Sequence, residues 1–257
     1  MSWVSAPAIA RVFVRHAKVF RYGWPFAIFS MVLQPALFLF SFTVGLGTLV
    51  TVIEIDGAEV SYRAFLFAGM VGLSTMWQGY FAATYGGYTR LNDQRLHLVI
   101  TVTPVTLDEY ILGDLAWNVF RTSLTPMAIL ALGYGTGQFL PSGLAPALLL
   151  CLVGSLTFSA LGTCVAGLTT RHQFLAFAQA YLLYPMFLMG GFMYPLDRLP
   201  DPVETFMWLY PLVPLLECFR GVLLGLPLGW PVVLLTLAWA IGLTVVSHII
   251  VVRRVRQ

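Results

Sequence analysis

Apolar residues dominate this chain in blocks, and polar residues collect between them. Blocks at residues 24–49, 64–88, 107–132, 143–168, 174–193 and 230–252 are each about twenty residues or longer. At about 1.5 Å rise per residue each crosses roughly 30 Å of hydrocarbon as a helix, which predicts six transmembrane spans. Ahead of them, residues 5–22 follow a helical period. Arg11, Arg15 and Lys18 fall on one face and Ile9, Val12, Phe13, His16, Val19 and Phe20 on the opposite one, with Val14 the exception. That is the pattern of an amphipathic helix lying on the membrane surface. Two roles stay open for it, an anchor on anionic lipid or a helix beside a transport path.

Two segments break the pattern. Residues 194–229 are apolar but interrupted by Pro195, Pro200, Pro202, Pro211, Pro214 and Pro227, so two short half-helices that enter one leaflet and return are expected instead of a full span. Residues 89–106 are a polar hinge between spans 2 and 3, and Pro104 starts the return into the membrane. Pro35 should kink span 1, with Gln34 beside it facing protein or a cavity. Gly133, Gly135, Gly137 and Pro141 mark a turn, and residues 50–62, with Glu54, Asp56 and Glu59, read as an outer loop. Trp77, Phe81, Thr84 and Tyr88 share one face of span 2, where Tyr85 and Tyr88 suit a headgroup belt. Small residues in span 4, among them Gly154 and Gly162, predict close helix packing.

Composition supports an all-α polytopic membrane protein. Of 257 residues, 59% are hydrophobic and 10% charged, against roughly 25% charged in soluble domains. The 14 Lys and Arg are distributed unevenly: ten flank the N-terminal helix, the 89–106 loop, the 169–173 turn and the C-terminal tail, and Arg63, Arg198 and Arg220 lie on the other side. By the positive-inside rule the basic side, with both termini, is cytoplasmic. No basic tract points to nucleic acid. Residues 1–22 lack a continuous apolar core, so no cleavable signal peptide is expected. Cys151, Cys164 and Cys218 show no metal-ligand spacing and read as small buried side chains.

Candidate chemistry is sparse. There is no GxxxxGK[ST] phosphate loop, HExxH or GxSxG, and His16, His97, His172 and His248 have no evident serine partner, so no catalytic or metal site is expected. Charges inside spans carry more information, because each needs a partner or water. Asp114, Asn118 and Arg121 in span 3 lie within about 60° on one helix face, Asp114 and Arg121 about 10 Å apart along the axis. They form either a structural lock between spans or the lining of a polar path. Glu217 and Arg220, at i and i+3, form a local pair in the broken segment.

The stretch LHLVITVTPVTLDEYILGD at 96–114, with Thr103, Pro104 and Val105 at its turn, resembles the signature of type-2 ABC transporter permeases. GGFMYPLDRLP at 190–200 and PLVPLLECFRGVLLG at 211–225 are similar to that family's re-entrant hairpin and its arginine, here Arg220. The resemblance covers essentially the whole chain and is nearest to permeases for nodulation lipo-oligosaccharides and polysaccharides. It implies a homodimer or pseudodimer in the bacterial inner membrane, joined by two ABC ATPase subunits that bind ATP and Mg, with no cofactor on this chain. It makes residues 92–101 a coupling helix, in which Asp93 and Arg95 contact the ATPase while Leu96, His97 and Leu98 sit in the docking face. Spans 1, 2 and 5 would surround the path, and Trp77, Phe81, Phe177, Tyr181 and Tyr184 are candidates to line it against sugar or drug rings. The substrate would be a lipid-linked glycan or lipo-oligosaccharide, or alternatively a drug. A proton-coupled secondary transporter is the alternative of another class, and it predicts transport without any ATPase.

Overall fold

The computed structural model describes residues 5–45, 47, 50–55, 57–94 and 105–256. In chain order these form α1 (Ala6–Phe20), α2 (Trp24–Gly45), β1 (Val52–Ile55), β2 (Ala58–Ser61), α3 (Tyr62–Tyr88), α4 (Leu107–Gly135), α5 (Leu144–Leu168), α6 (Gln173–Met189), α7 (Asp201–Met207), α8 (Leu212–Leu224) and α9 (Trp230–Arg256). A π-helical turn, Thr89–Asp93, continues α3.

The core is organised around α3, which is buried along most of its length against α5, α4 and α8. Small residues permit this. A Cβ on Gly154 would lie 2.9 Å from Thr75 Oγ1, and one on Gly162 would lie 2.6 Å from the Tyr80 carbonyl oxygen, so α5 sits backbone-close to α3. The closeness is used: the Thr84 hydroxyl donates to the Gly162 carbonyl at 3.2 Å. Aliphatic and aromatic side chains then fill the space between α3, α5 and α8, among them Tyr80, Phe158, Leu216 and Phe219. Cys151, Cys164 and Cys218 are free and buried.

α4 begins with a capping box. The Thr106 hydroxyl accepts from the Glu109 N–H, and the Glu109 carboxylate accepts from the Thr106 N–H at 2.8 Å. α7 and α8, from the proline-broken stretch, meet at 89°. Pro200 and Pro202 open α7, and Gly225 closes α8 in the left-handed conformation at φ +73°.

Several expectations change against the structure. The 50–62 loop contains a β-hairpin, with Ile55 paired to Ala58 and Val52 to Ser61. The signal was the Asp56-Gly57 dipeptide, a strong hairpin turn, and Gly57 has φ +77°. Tyr88 does not stand at a surface belt: it is buried, and its hydroxyl donates to the Thr170 carbonyl. The Tyr85 hydroxyl bonds Gln179 Oε1. The six blocks are also unequal. Among the described residues, Pro141–Leu168 and Trp230–Arg256 are each long and apolar enough to cross a bilayer, and α7 with α8 passes the same test only as a bent pair. α6 has 17 residues, about 25 Å of helix, and α4 spends interior positions on Asp114 and Arg121.

Candidate functional site

Several elements meet at the two flanks of the hinge that sequence marked as the coupling segment. Arg95, Leu96, His97 and Leu98 fall within 95–104, outside the described residues. Asp93 closes the π-helical turn with its side chain exposed. What the structure places is the two flanks. On the upstream flank, Arg254 of α9 donates to Asn92 Oδ1 at 2.9 Å and to the Gly167 carbonyl at 3.2 Å, and Asn92 in turn donates to the Tyr88 carbonyl. On the downstream flank, His248 Nε2 of α9 lies 3.1 Å from Asp108 Oδ1. Glu109 receives both the N–H and the hydroxyl of Ser5, at 2.8 and 2.7 Å. With Thr106 this gives the carboxylate three donors, the arrangement of an ionised, acceptor-only group. The residues on either side of 95–104 are thus both held by α9, and the downstream flank is tied to Ser5 ahead of α1.

One turn further along α4 lies a charged cluster. Arg90 Nη2 donates to Asp114 Oδ2 at 2.9 Å, and Asn118 Nδ2 donates to the same oxygen at 3.3 Å. His16 Nε2 stands 3.2 Å from Asp114 Oδ1 without hydrogen-bond alignment. Asp114 and Asn118 therefore meet as their spacing suggested, but Arg121 does not join them. Its guanidinium sits over the Phe20 ring at 5.4 Å. The side chains that reach Asp114 come from α1, in His16, and from the π-helical turn, in Arg90.

The same contacts seat α1. The stripe expected to face lipid is used against α4: Phe13 and Phe20 pack edge-on against Trp117 at 5.2 and 5.7 Å, and His16 stacks on it at 6.2 Å. Val12 approaches Gly113 so closely that a Cβ there would lie 2.7 Å from the Val12 Cβ. Val19 and the basic residues Arg11, Arg15 and Lys18 remain exposed.

The aromatic candidates divide. Trp77 stacks on Phe81 at 5.3 Å and meets Tyr184 edge-on at 6.2 Å, with Phe187 completing the group. Gln34 lines a small cavity with Trp77 and Gln78. Phe177 and Tyr181 stand apart and exposed, Tyr181 at 75%. Thr84 and Tyr88 turn into protein, so the four-residue face read on span 2 splits between two environments.

At the opposite end of α3, Arg220 is among the most buried side chains. Nη1 donates to Glu217 Oε1 at 2.5 Å, Nη2 donates to the Gly191 carbonyl, and the guanidinium lies 4.0 Å from the Phe65 ring centre. It ties α8 to the end of α6 and to α3.

Sequence reasoning passed over Arg90, Asn92, Asp108, Glu109, His248 and Arg254. Only the Thr106-to-Glu109 capping box was legible in advance; the other residues acquire their roles from helices distant in the chain.

The sequence profile of the family described as ABC-2 type transporter matches residues 8–224. Nodulation protein J of Rhizobium meliloti (strain 1021) is 31% identical over 204 residues, 79% of this chain and 76% of that relative. Nodulation protein J of Rhizobium leguminosarum bv. viciae is 30% identical over 205 residues. Nodulation protein J of Azorhizobium caulinodans (strain ATCC 43989) is 26% identical over 245 residues, 93% of each chain.

Proposed function

The chain belongs to the ABC-2 type transporter family, and on that premise we propose that it is the permease subunit of an ATP-driven exporter. Its cargo in this reading is a lipo-oligosaccharide or other lipid-linked glycan leaving the cytoplasm. The observation that carries the mechanism is the bracketing of residues 95–104. Arg254 on Asn92 and His248 on Asp108 fix both flanks to α9, and Glu109 ties the downstream flank to Ser5 ahead of α1. In this reading a push from a docked ATPase reaches these flanks and passes through their contacts into α1, α4 and α9 together.

Two ATPase subunits would hold ATP and Mg, and a second copy of this chain would complete the path. Both termini face the cytoplasm, six helical crossings span the bacterial inner membrane, and α7 and α8 re-enter from the outer side. Trp77, Phe81 and Tyr184 form the aromatic wall on which sugar rings stack. The relatives named Nodulation protein J support the glycan choice over the drug choice, in line with the resemblance to nodulation lipo-oligosaccharide permeases.

The test is co-expression with the neighbouring phosphate-loop ATPase, comparing the native chain with the double variant Asp93→Ala, Arg95→Ala. The expected result is stable co-purification for the native chain and loss or uncoupling of ATP turnover in the variant. Failure of any ATPase to associate, together with substrate movement in ATPase-free liposomes driven by a proton gradient, would replace this reading with a secondary transporter.

A further inference from the structure

His16, Val19, Phe20, Gly23, Arg90, Trp117 and Arg121 line an open cavity of about 240 Å³ between α1, the end of α3 and α4. Two arginines and a histidine face it, and the one carboxylate within reach, Asp114, is already engaged by Arg90 and His16. Arg121 has no acidic partner among the described residues, and its buried Nε has no acceptor. An arginine keeps its charge in any protein setting, so at least one positive charge here has no counter-charge among the described residues.

We infer that this cavity binds the phosphodiester of an anionic phospholipid, with the phosphate oxygens held between Arg121 and Arg90. The forked guanidinium matches a phosphodiester's two anionic oxygens. Phe20 and Trp117 give the cavity an amphipathic wall, suited to the junction of headgroup and acyl chain, where tryptophan concentrates in membrane proteins. The Phe20 and Trp117 wall favours a lipid over free phosphate. The bound lipid would lie under α1, making its seat on α4 dependent on membrane composition. The inference rests on a membrane location alone, so failure of ATPase association leaves it standing.

The experiment is lipid binding to the purified, delipidated chain by native mass spectrometry, with phosphatidylglycerol, phosphatidylcholine and inorganic phosphate as probes. The expected result is one phosphatidylglycerol per chain, held about tenfold more tightly than phosphatidylcholine and lost by a similar factor in Arg121→Gln, the scale of one charge-assisted contact. Gly23→Trp places a bulky side chain on the cavity wall at a position where nothing lies within 4 Å of a Cβ. It should abolish the same binding while leaving the lipid-free unfolding midpoint unchanged, which keeps the test decisive where Arg121→Gln fails to fold. Arg11→Gln with Arg15→Gln, on the exposed face of α1, should leave it intact. Equal retention of the two lipids, unchanged binding in Gly23→Trp, or an equal loss in the Arg11, Arg15 variant would overturn the inference. Displacement of the lipid by millimolar inorganic phosphate would overturn the lipid assignment in favour of a soluble anion.

Discussion

Asp114 illustrates what a residue inherits from its helix and what it receives from elsewhere. Its spacing to Asn118 places the two side chains together, and they do bond. Its long-range partners are Arg90, which neutralises it, and the His16 ring beside it, 24 and 98 positions away, and helical periodicity holds no information about them. Replacing Asp114 by Asn removes the negative charge and leaves Arg90 facing Arg121 across one cavity. Breaking a buried pair in this way costs on the order of 3 kcal/mol. The expected outcome is a loss of that size in unfolding measurements in detergent, with partial recovery in the double variant Asp114→Asn, Arg90→Gln, which a double-mutant cycle would read. Arg220 is the contrasting case, because its pairing with Glu217 was legible at i and i+3, whereas its contacts with Gly191 and Phe65 were not. Glu217→Ala should therefore destabilise at least as much as Arg220→Ala, on the order of 3 kcal/mol, since it leaves a fully buried guanidinium without its carboxylate, whereas Arg220→Ala leaves a carboxylate that water can reach. Comparing the two single variants by thermal unfolding decides it.

At the scale of elements, the apolar blocks located most of the helices to within a few residues, because periodicity and length report burial directly. They could not report what does the burying. The stripe of α1 satisfies the pattern of a surface helix equally well whether it meets acyl chains or Trp117. The choice is made at Gly113, which lets Val12 close on α4. Gly113→Leu should prise α1 away: the helix content by circular dichroism stays near native, the N-terminal region becomes protease-sensitive, and stability falls by about 1–3 kcal/mol, the usual cost of overpacking. The hairpin Val52–Ser61 was hidden for a different reason. Its strands are four residues each and alternate in exposure, a weaker signal than the acidic residues that labelled the stretch as a loop.

For the molecule as a whole, the informative fact is where distant parts of the chain are joined. α9 packs along α5, and its last turns meet the flanks of residues 95–104 in two ways: Val251, Val252 and Val255 share an apolar cluster with Leu91, Val105 and Leu107, while His248 and Arg254 supply polar contacts among the described residues. Under the exporter reading those two side chains set how much of a push on that segment becomes motion of the helices and how much is lost in the hinge. Arg254→Gln removes a charged donor from both Asn92 Oδ1 and the Gly167 carbonyl and leaves the proposed docking residues Asp93 and Arg95 in the sequence. The ATPase should still co-purify and hydrolyse ATP, while substrate moved per ATP falls by about tenfold, within the range that coupling free energies of 1–3 kcal/mol produce. A variant that loses ATPase association instead would place Arg254 in the docking surface itself, and one that transports normally would show that α9 is a passive strut. Measuring transport and hydrolysis on the same reconstituted preparation separates the three, because only slack in the bracket lowers their ratio.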